Sequence, residues 1–245
     1  MSTTQISTTR ASGSLEIYLL GCVDFESALL LQEKLVADVG RRTDGLGSLI
    51  LCEHPPIVTV GREGHYGDVL CVQSELDFRR MKVRRLNRGG STLVHAPGQL
   101  AIYPILPLNR LGINLSEFRS KLLNSAIQAC SEIRVPAYSR EDAPGLWCRT
   151  GQFGYIGAAV KSWVSYHGMF LNVNPNLDLL RMVISNPVEH RPTSLTAQKT
   201  RRTSMHSVRE NIARQLTSQF QYNNCHYYTG HPLLSRTRRK VYVNA

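Results

Sequence analysis

The sequence contains no apolar run approaching the roughly 20 residues that a membrane-spanning helix needs, so no segment is expected to cross a bilayer as a helix. It also lacks any C-x-x-C pair. Six cysteines (Cys22, Cys52, Cys71, Cys130, Cys148 and Cys225) are scattered, several among apolar neighbours as in Ile50-Leu51-Cys52. That pattern excludes a disulfide frame and a zinc site, and it predicts reduced, buried thiols in a cytoplasmic protein. Acidic residues are scarce, 18 against 29 Lys and Arg, which leaves a formal net charge of +11. Such an excess calls for an acidic partner, either nucleic acid or an acidic carrier protein or lipoyl domain. The cations cluster at 79–85, 199–202 and 236–240. No helix-turn-helix, zinc-finger or RNA-recognition pattern accompanies them, which argues against nucleic acid. Met1 to Gly13 is Ser/Thr-rich without the apolar stretch of a secretory signal. With Arg10 it shares features of a transit peptide, but its composition predicts a disordered tail over 1–14.

What is present reads as one α/β domain over 15–222, followed by a basic tail over 223–245. Apolar runs predict strands at Leu15–Gly21, Ser48–Cys52, Ile57–Val60, Lys82–Leu86 and Leu100–Leu106. Two more are expected at Phe153–Val160 and Trp163–Val173. Helical spacing appears in Ala28, Leu31, Leu35 and Val39 after the capping residue Asp24, and in Phe118, Leu122, Ala126 and Ala129 within Ser116–Ile133. A short helix is expected at Leu177–Val183, and a last one buries Val208, Ile212, Leu216 and Phe220. No repeat or low-complexity linker interrupts residues 15–220. The expected fold is therefore a mixed β-sheet with helices packed mainly on one face.

The densest chemistry lies in Arg88-Gly89-Gly90-Ser91-Thr92-Leu93-Val94-His95-Ala96-Pro97-Gly98-Gln99. Glycines let a backbone approach a ligand or adopt positive φ at low steric cost. Arg88 and His95 supply donors beside the apolar run that follows. Read on its own, the segment is also compatible with a β-hairpin whose turn carries the glycines. His54, beside Pro55-Pro56, reads as structural, and His167 reads equally as a hydrogen-bonded strand-end residue or as a ligand contact.

Together with five other blocks in order, this segment resembles the lipoyl(octanoyl) transferase family, the lipoate-protein ligase B type. The blocks are Leu51-Cys52-Glu53-His54-Pro55-Pro56 leading to Thr59-Val60-Gly61-Arg62, and Asp142-Ala143-Pro144-Gly145-Leu146-Trp147. Gly151 to Gly168, Leu171-Asn172-Val173-Asn174 and Thr193-Ser194-Leu195 complete the likeness. The resemblance implies the catalytic-domain fold shared by biotin and lipoate protein ligases. It implies transfer of an octanoyl chain from acyl carrier protein to a lysine of lipoyl domains, in 2-oxoacid dehydrogenases or a glycine-cleavage H-type protein, with no cofactor and no metal. Carried over by position, the acyl pocket involves Arg88, Gly89, Gly90, Ser91, Thr92, Leu93, Val94 and His95, then Tyr155, Ile156 and Gly157, then Gly168, Met169 and Phe170. An octanoyl tail needs an apolar slot, worth about 0.8 kcal/mol per buried methylene. Gly157 with Ala158 and Ala159 is expected to leave room for it.

The same likeness exposes a departure. The family carries the acyl group on a Cys that follows a Pro, and a Lys lowers that thiol's pKa. By register from His167-Gly168, the Lys position holds Gln152, and the residue after Pro187 is Val188. No cysteine lies between Cys148 and Cys225, so a shift of register does not restore the thiol. Leu93, Val94 and Ala96 replace the family's common Thr-Tyr and Gly. Cys148, Ser185, Thr193 and Ser194 are nearby candidates for a substitute nucleophile, with His190 as the nearest base. Cys148 reads as a buried structural thiol, and Lys161 is expected to face away from position 152. ATP-dependent ligase chemistry in the related enzymes relies on the same missing lysine. Two readings follow from this: an octanoyltransferase that works without the family pair, and a non-catalytic binder of acyl chains, acyl carrier protein or lipoyl domains.

Overall fold

A computed structural model describes residues 13–186, 191–198 and 203–234. Residues 1–12 of the expected N-terminal tail and 235–245 of the expected C-terminal tail lie outside these residues, as do Val188 and His190. The chain runs β1 (Ser14–Cys22), α1 (Phe25–Arg41), β2 (Gly47–Glu53), β3 (Ile57–Val60), α2 (Gln73–Phe78), β4 (Val83–Arg85), β5 (Thr92–His95) and β6 (Gln99–Ile105). It continues through α3 (Leu115–Glu132), β7 (Gly145–Cys148), β8 (Gly151–Lys161), β9 (Val164–Asn172), α4 (Leu177–Leu180), α5 (Met205–Gln219) and β10 (Asn224–Tyr228). Seven strands form one mixed sheet in the order β10-β1-β2-β6-β9-β8-β7, and β4-β3-β5 form a smaller one. Pairings β10-β1 and β1-β2 are parallel, and the rest of the large sheet is antiparallel.

Alternation along the strands sends neighbouring side chains to opposite faces, and each face is apolar. Leu15, Ile17, Leu49, Leu51, Leu100 and Ile102 pack under α3 and α5. Tyr18, Leu20, Ile50, Cys52, Ala101 and Tyr103 meet Leu31, Leu35 and Val39 of α1 on the other side. The sheet is thus covered on both faces: α3 and α5 share one, as expected, and α1 takes the opposite one. The caps explain where the helices begin. The Asp24 carboxylate accepts from Ser27 N, and at α3 Asn114 and Glu117 satisfy each other's backbone N–H groups at 2.9 Å. Among the described residues no helix is long and apolar enough to cross a membrane.

Residues 224–228, expected in the tail, instead pair in register with β1 from Ser14↔Asn224 to Tyr18↔Tyr228. Cys22 is exposed, while Cys52, Cys130 and Cys148 are buried as expected. Gly168 sits where β9 crosses β6 with φ +156°, and a Cβ there would stand 2.2 Å from the Ile102 carbonyl oxygen. Gly168→Ala is expected to destabilise the domain by about 2–4 kcal/mol, since neither sheet backbone can retreat without breaking its ladder. A urea midpoint unchanged from wild type would contradict this packing.

Candidate functional site

A cavity of about 550 Å³ opens between β8, the first turns of α3 and the glycine segment. Ile156, Ala158 and Val160, alternate residues of β8, form one wall, and Leu115, Phe118 and Leu122 of α3 form the other. Their spacing is what places them together, since every second strand residue and every third or fourth helical residue share a side. Gly89, Gly90 and Ser91 close one end, and Pro144, Ser185 and Asn186 close another. Two cations, Arg62 and Arg119, reach the same cavity. Glu63 is spent on structure, accepting from Gly90 N at 3.1 Å. Asp142 is paired with Arg140, which holds its carboxyl below the usual range.

The expected site residues divide in two. Gly89, Gly90, Ser91, Tyr155 and Ile156 line the cavity. Arg88, Thr92, Leu93, Val94, His95, Gly157, Gly168, Met169 and Phe170 are not among its lining residues. The glycine segment docks on β8, with Gly89 N donating to Ala158 O at 3.0 Å. Gly90 adopts φ +77°, and a Cβ there would stand 2.6 Å from the Ile156 carbonyl oxygen. Gly157 lets Arg88 pack close, because a Cβ at 157 would meet Arg88 Cδ at 3.1 Å. Leu93 and Val94, on opposite faces of β5, fill two different cores.

Arg88 is wholly buried and unmatched by a close carboxylate. Its guanidinium donates to Thr59 O at 3.0 Å, Thr59 Oγ1 at 2.7 Å and Gly89 O at 3.0 Å. It also lies 5.9 Å from the Phe170 ring centre, within cation–π range. Burial pulls its pKa down to about 10, so it stays charged at neutral pH. This arginine ties the glycine segment to β3 and faces Phe170 of β9. His95 is committed in the same way: one ring nitrogen meets Thr59 Oγ1 and the other Gln99 Oε1, both at 2.8 Å, and Phe170 lies 4.4 Å away. Both ring nitrogens are thus occupied, and the ring is buried. His54 is structural, bonded to Val23 O and the Tyr103 hydroxyl at 2.8 Å each. His167 donates its backbone N–H to Gln32 Oε1 at 2.8 Å and is buried, away from the cavity lining.

Gln152 lies at the cavity end formed by Pro144 and Asn186. Its Nε2 donates to Pro144 O at 3.3 Å and Gly154 O at 3.2 Å, and its Oε1 accepts from Asn186 Nδ2 at 3.4 Å. The backbone of Gln152 also holds the segment on the far side of 187–190, accepting from Thr193 N at 2.9 Å and bridging Pro192. Both flanks of Val188 are therefore tethered at position 152. Around it, Tyr155 is hydrogen-bonded to Ser185 and Asn172, and burial pushes its phenol pKa up. Cys148 is a core thiol, 3.4 Å from Thr150 Oγ1 and the Gly151 carbonyl oxygen. Ser194 Oγ accepts from Ala197 N at 3.2 Å, and Lys161 is exposed at the end of β8.

The sequence reading missed Arg62, Arg119, Leu115, Phe118 and Leu122. Phe118 and Leu122 carry the periodicity of a core face, and a cavity wall has the same pattern. Leu115 stands one position before the expected start of the helix, and its 55% exposure is visible only in the structure.

The sequence profile of the lipoyl protein ligase A/B catalytic domain matches residues 24–221. The chain is 36% identical to the octanoyltransferase of Geobacter metallireducens over 195 residues, covering 79% of this chain and 88% of that one. It is 38% identical to the octanoyltransferase of Syntrophotalea carbinolica over 159 residues, covering 65% and 72% respectively. In fold it is similar to a putative lipoate protein ligase from T. acidophilum, with a TM-score of 0.72 at 13% identity over 90% of each chain. It is likewise similar to a lipoate-protein ligase A bound with ATP, at TM-score 0.72 and 13% identity, over 88% of this chain and 90% of that one. Profile and relatives show that this chain belongs to the lipoyl(octanoyl) transferase family, within the lipoyl protein ligase A/B catalytic domain.

Proposed function

We propose that the protein acts in lipoate biosynthesis in the cytoplasm, moving an octanoyl group from acyl carrier protein to a lysine of a lipoyl domain. The lipoyl domain would be that of a 2-oxoacid dehydrogenase or of a glycine-cleavage H-type protein. The observation that carries this reading is the apolar slot between Ile156, Ala158 and Val160 on β8 and Phe118 and Leu122 on α3, which ends beside Gln152. The slot suits an eight-carbon chain, and the polar end at Pro144 and Asn186 suits its thioester carbonyl. With Val188 and Gln152 in place, no acyl-thioester forms at the family position. Transfer then runs directly: the acceptor lysine nitrogen attacks the thioester carbonyl, the C–N bond forms, the C–S bond breaks, and the carrier thiol leaves with a proton.

The same two residues favour a second reading, a protein that holds the octanoyl carrier or the lipoyl domain without turnover. Intact-mass measurement on the protein, octanoyl carrier protein and a lipoyl domain separates the two. Octanoylated lipoyl domain without an adduct on this protein supports direct transfer, and an adduct on Cys148 or Ser194 points to a relocated nucleophile. Binding without product leaves the holding role. In either case Ala158→Phe, which fills the slot, is expected to weaken octanoyl binding by at least about tenfold, given the transfer free energy of several methylenes. Unchanged binding would place the acyl site elsewhere.

A further inference from the structure

The surface over residues 66–85 is both apolar and cationic. Phe78 is 88% exposed, Val72 67% and Leu70 60%, while Leu76 alone anchors α2 in the small core. Large exposed apolar residues rimmed by charge mark a contact surface more often than idle surface. Five cations follow within seven residues: Arg79, Arg80, Lys82, Arg84 and Arg85. Arg79 pairs with Glu75 and Arg84 with Glu26. Arg80 and Lys82 are exposed and form no ion pair among the described residues, so their charge faces water.

The location of this surface makes it informative. β4 is one edge of the small sheet, pairing with β3 among the described residues. From its end, Arg85 donates to Gly64 O at 2.7 Å and Arg62 O at 3.4 Å, gripping the turn that places Arg62 on the cavity. On the other side, Leu70 N donates to Met182 O and Ile184 N to Asp68 O, each at 2.8 Å. That tie leads directly into Ser185 and Asn186, which line the cavity. A partner seated on 66–85 therefore touches two stretches of backbone that form the rim, while none of the bonds of Gln152 involves this segment.

We infer that the α2–β4 surface is the docking site for the acyl donor, an acidic helical carrier protein bearing its acyl group on a flexible arm. The inference rests on the octanoyl-transfer reading and names where the donor binds. Charge complementarity selects an acidic partner and speeds its encounter, and Phe78, Val72 and Leu70 give it an apolar footing. Because the surface contacts the rim rather than the reacting position, its occupant delivers by reach. A carrier arm provides that reach, and an acceptor lysine side chain does not.

The test compares wild type with Arg80→Glu/Lys82→Glu and with Phe78→Ser, all at exposed positions. Affinity is measured for octanoyl carrier protein, for a lipoyl domain and for octanoyl-pantetheine, which lacks the carrier's protein part. The expected result is a loss of about tenfold or more for the carrier protein in both variants, with a shallower salt dependence in the charge-reversed one. Octanoyl-pantetheine binding should be unchanged. Carrier affinity equal to wild type in both variants overturns the docking site, and a loss confined to the lipoyl domain reassigns it to the acceptor. If wild type binds neither octanoyl-pantetheine nor octanoyl carrier protein, the octanoyl-transfer reading itself fails.

Discussion

Val188→Cys combined with Gln152→Lys is expected to give the protein a covalent octanoyl load that the wild type cannot carry at position 188. The wild-type valine offers no nucleophile, and the Gln152 amide offers no charge to lower a thiol's pKa. The surroundings are suited to the change. Gln152 Nε2 already lies between the carbonyl oxygens of Pro144 and Gly154, at 3.3 and 3.2 Å, and an ammonium would find the same acceptors. Asn186 and Thr193, both bonded to Gln152, hold the two flanks of position 188 close by. Val188→Cys alone should load more slowly at neutral pH, because a thiol without a nearby cation keeps a pKa of about 8.5. The readout is a mass increase of one octanoyl group after incubation with octanoyl carrier protein, followed over time and pH. Equal loading rates for the single and double variants at neutral pH would show that Gln152 does not occupy the activating position.

The second large effect is acid sensitivity. His54, His95 and His167 are buried, and desolvation, aided at His95 and His167 by the Arg88 charge, holds all three below the ordinary histidine value. His54 falls to about 4 and His167 to about 3. In the unfolded chain each titrates near 6.5. Below that pH the unfolded state takes up protons that the folded state refuses, so stability is full above pH about 6.5 and declines as pH falls. The decline for each histidine ends only once pH passes its folded value. Each contributes a slope of about 1.4 kcal/mol per pH unit in that window, so the three together cost roughly 3–4 kcal/mol between pH 6 and pH 5. Urea midpoints at pH 7, 6 and 5 measure this directly. A midpoint that holds steady over that range would mean that these imidazoles are charged in the fold.

Much of the fold was readable in the residues because burial writes a period into the chain. Leu31, Leu35 and Val39 mark a helix, and Leu49, Ile50 and Leu51 mark a strand covered on both faces. The elements that escaped notice have weak periods. β10 is Asn-Cys-His-Tyr-Tyr, an exposed edge strand with no apolar alternation, and α2 buries only Leu76. β5 was hidden within a glycine motif that reads equally well as a turn. The site was half legible. Gly89 to Ser91 and Tyr155-Ile156, taken from residue order, line the cavity. Arg88, His95 and Gly157 are not among the residues lining the cavity, and a residue that braces a wall carries the same local pattern as one that lines it. What separates them is which neighbour takes the hydrogen bonds, and Thr59, the partner of both Arg88 and His95, is 29 and 36 positions away. The direction in which α3 turns Leu115 and Arg119 toward β8 is likewise set by packing across the sheet, which no local window contains.

The pairing of β10 with β1 ties Ser14 to Asn224 across nearly the whole chain. On a ribosome, β1 emerges first and can be covered on one edge by β2, while its other edge stays bare until residues 224–228 have been made. For most of synthesis the nascent chain therefore exposes an unsatisfied row of backbone N–H and C=O groups, the kind of template on which strands of other molecules add. Contacts so distant in sequence are also slow to close. Synthesis of residues 224–228, rather than collapse of the interior, should then set the moment at which aggregation risk ends, and chains stalled before residue 224 should be the ones that chaperones retain.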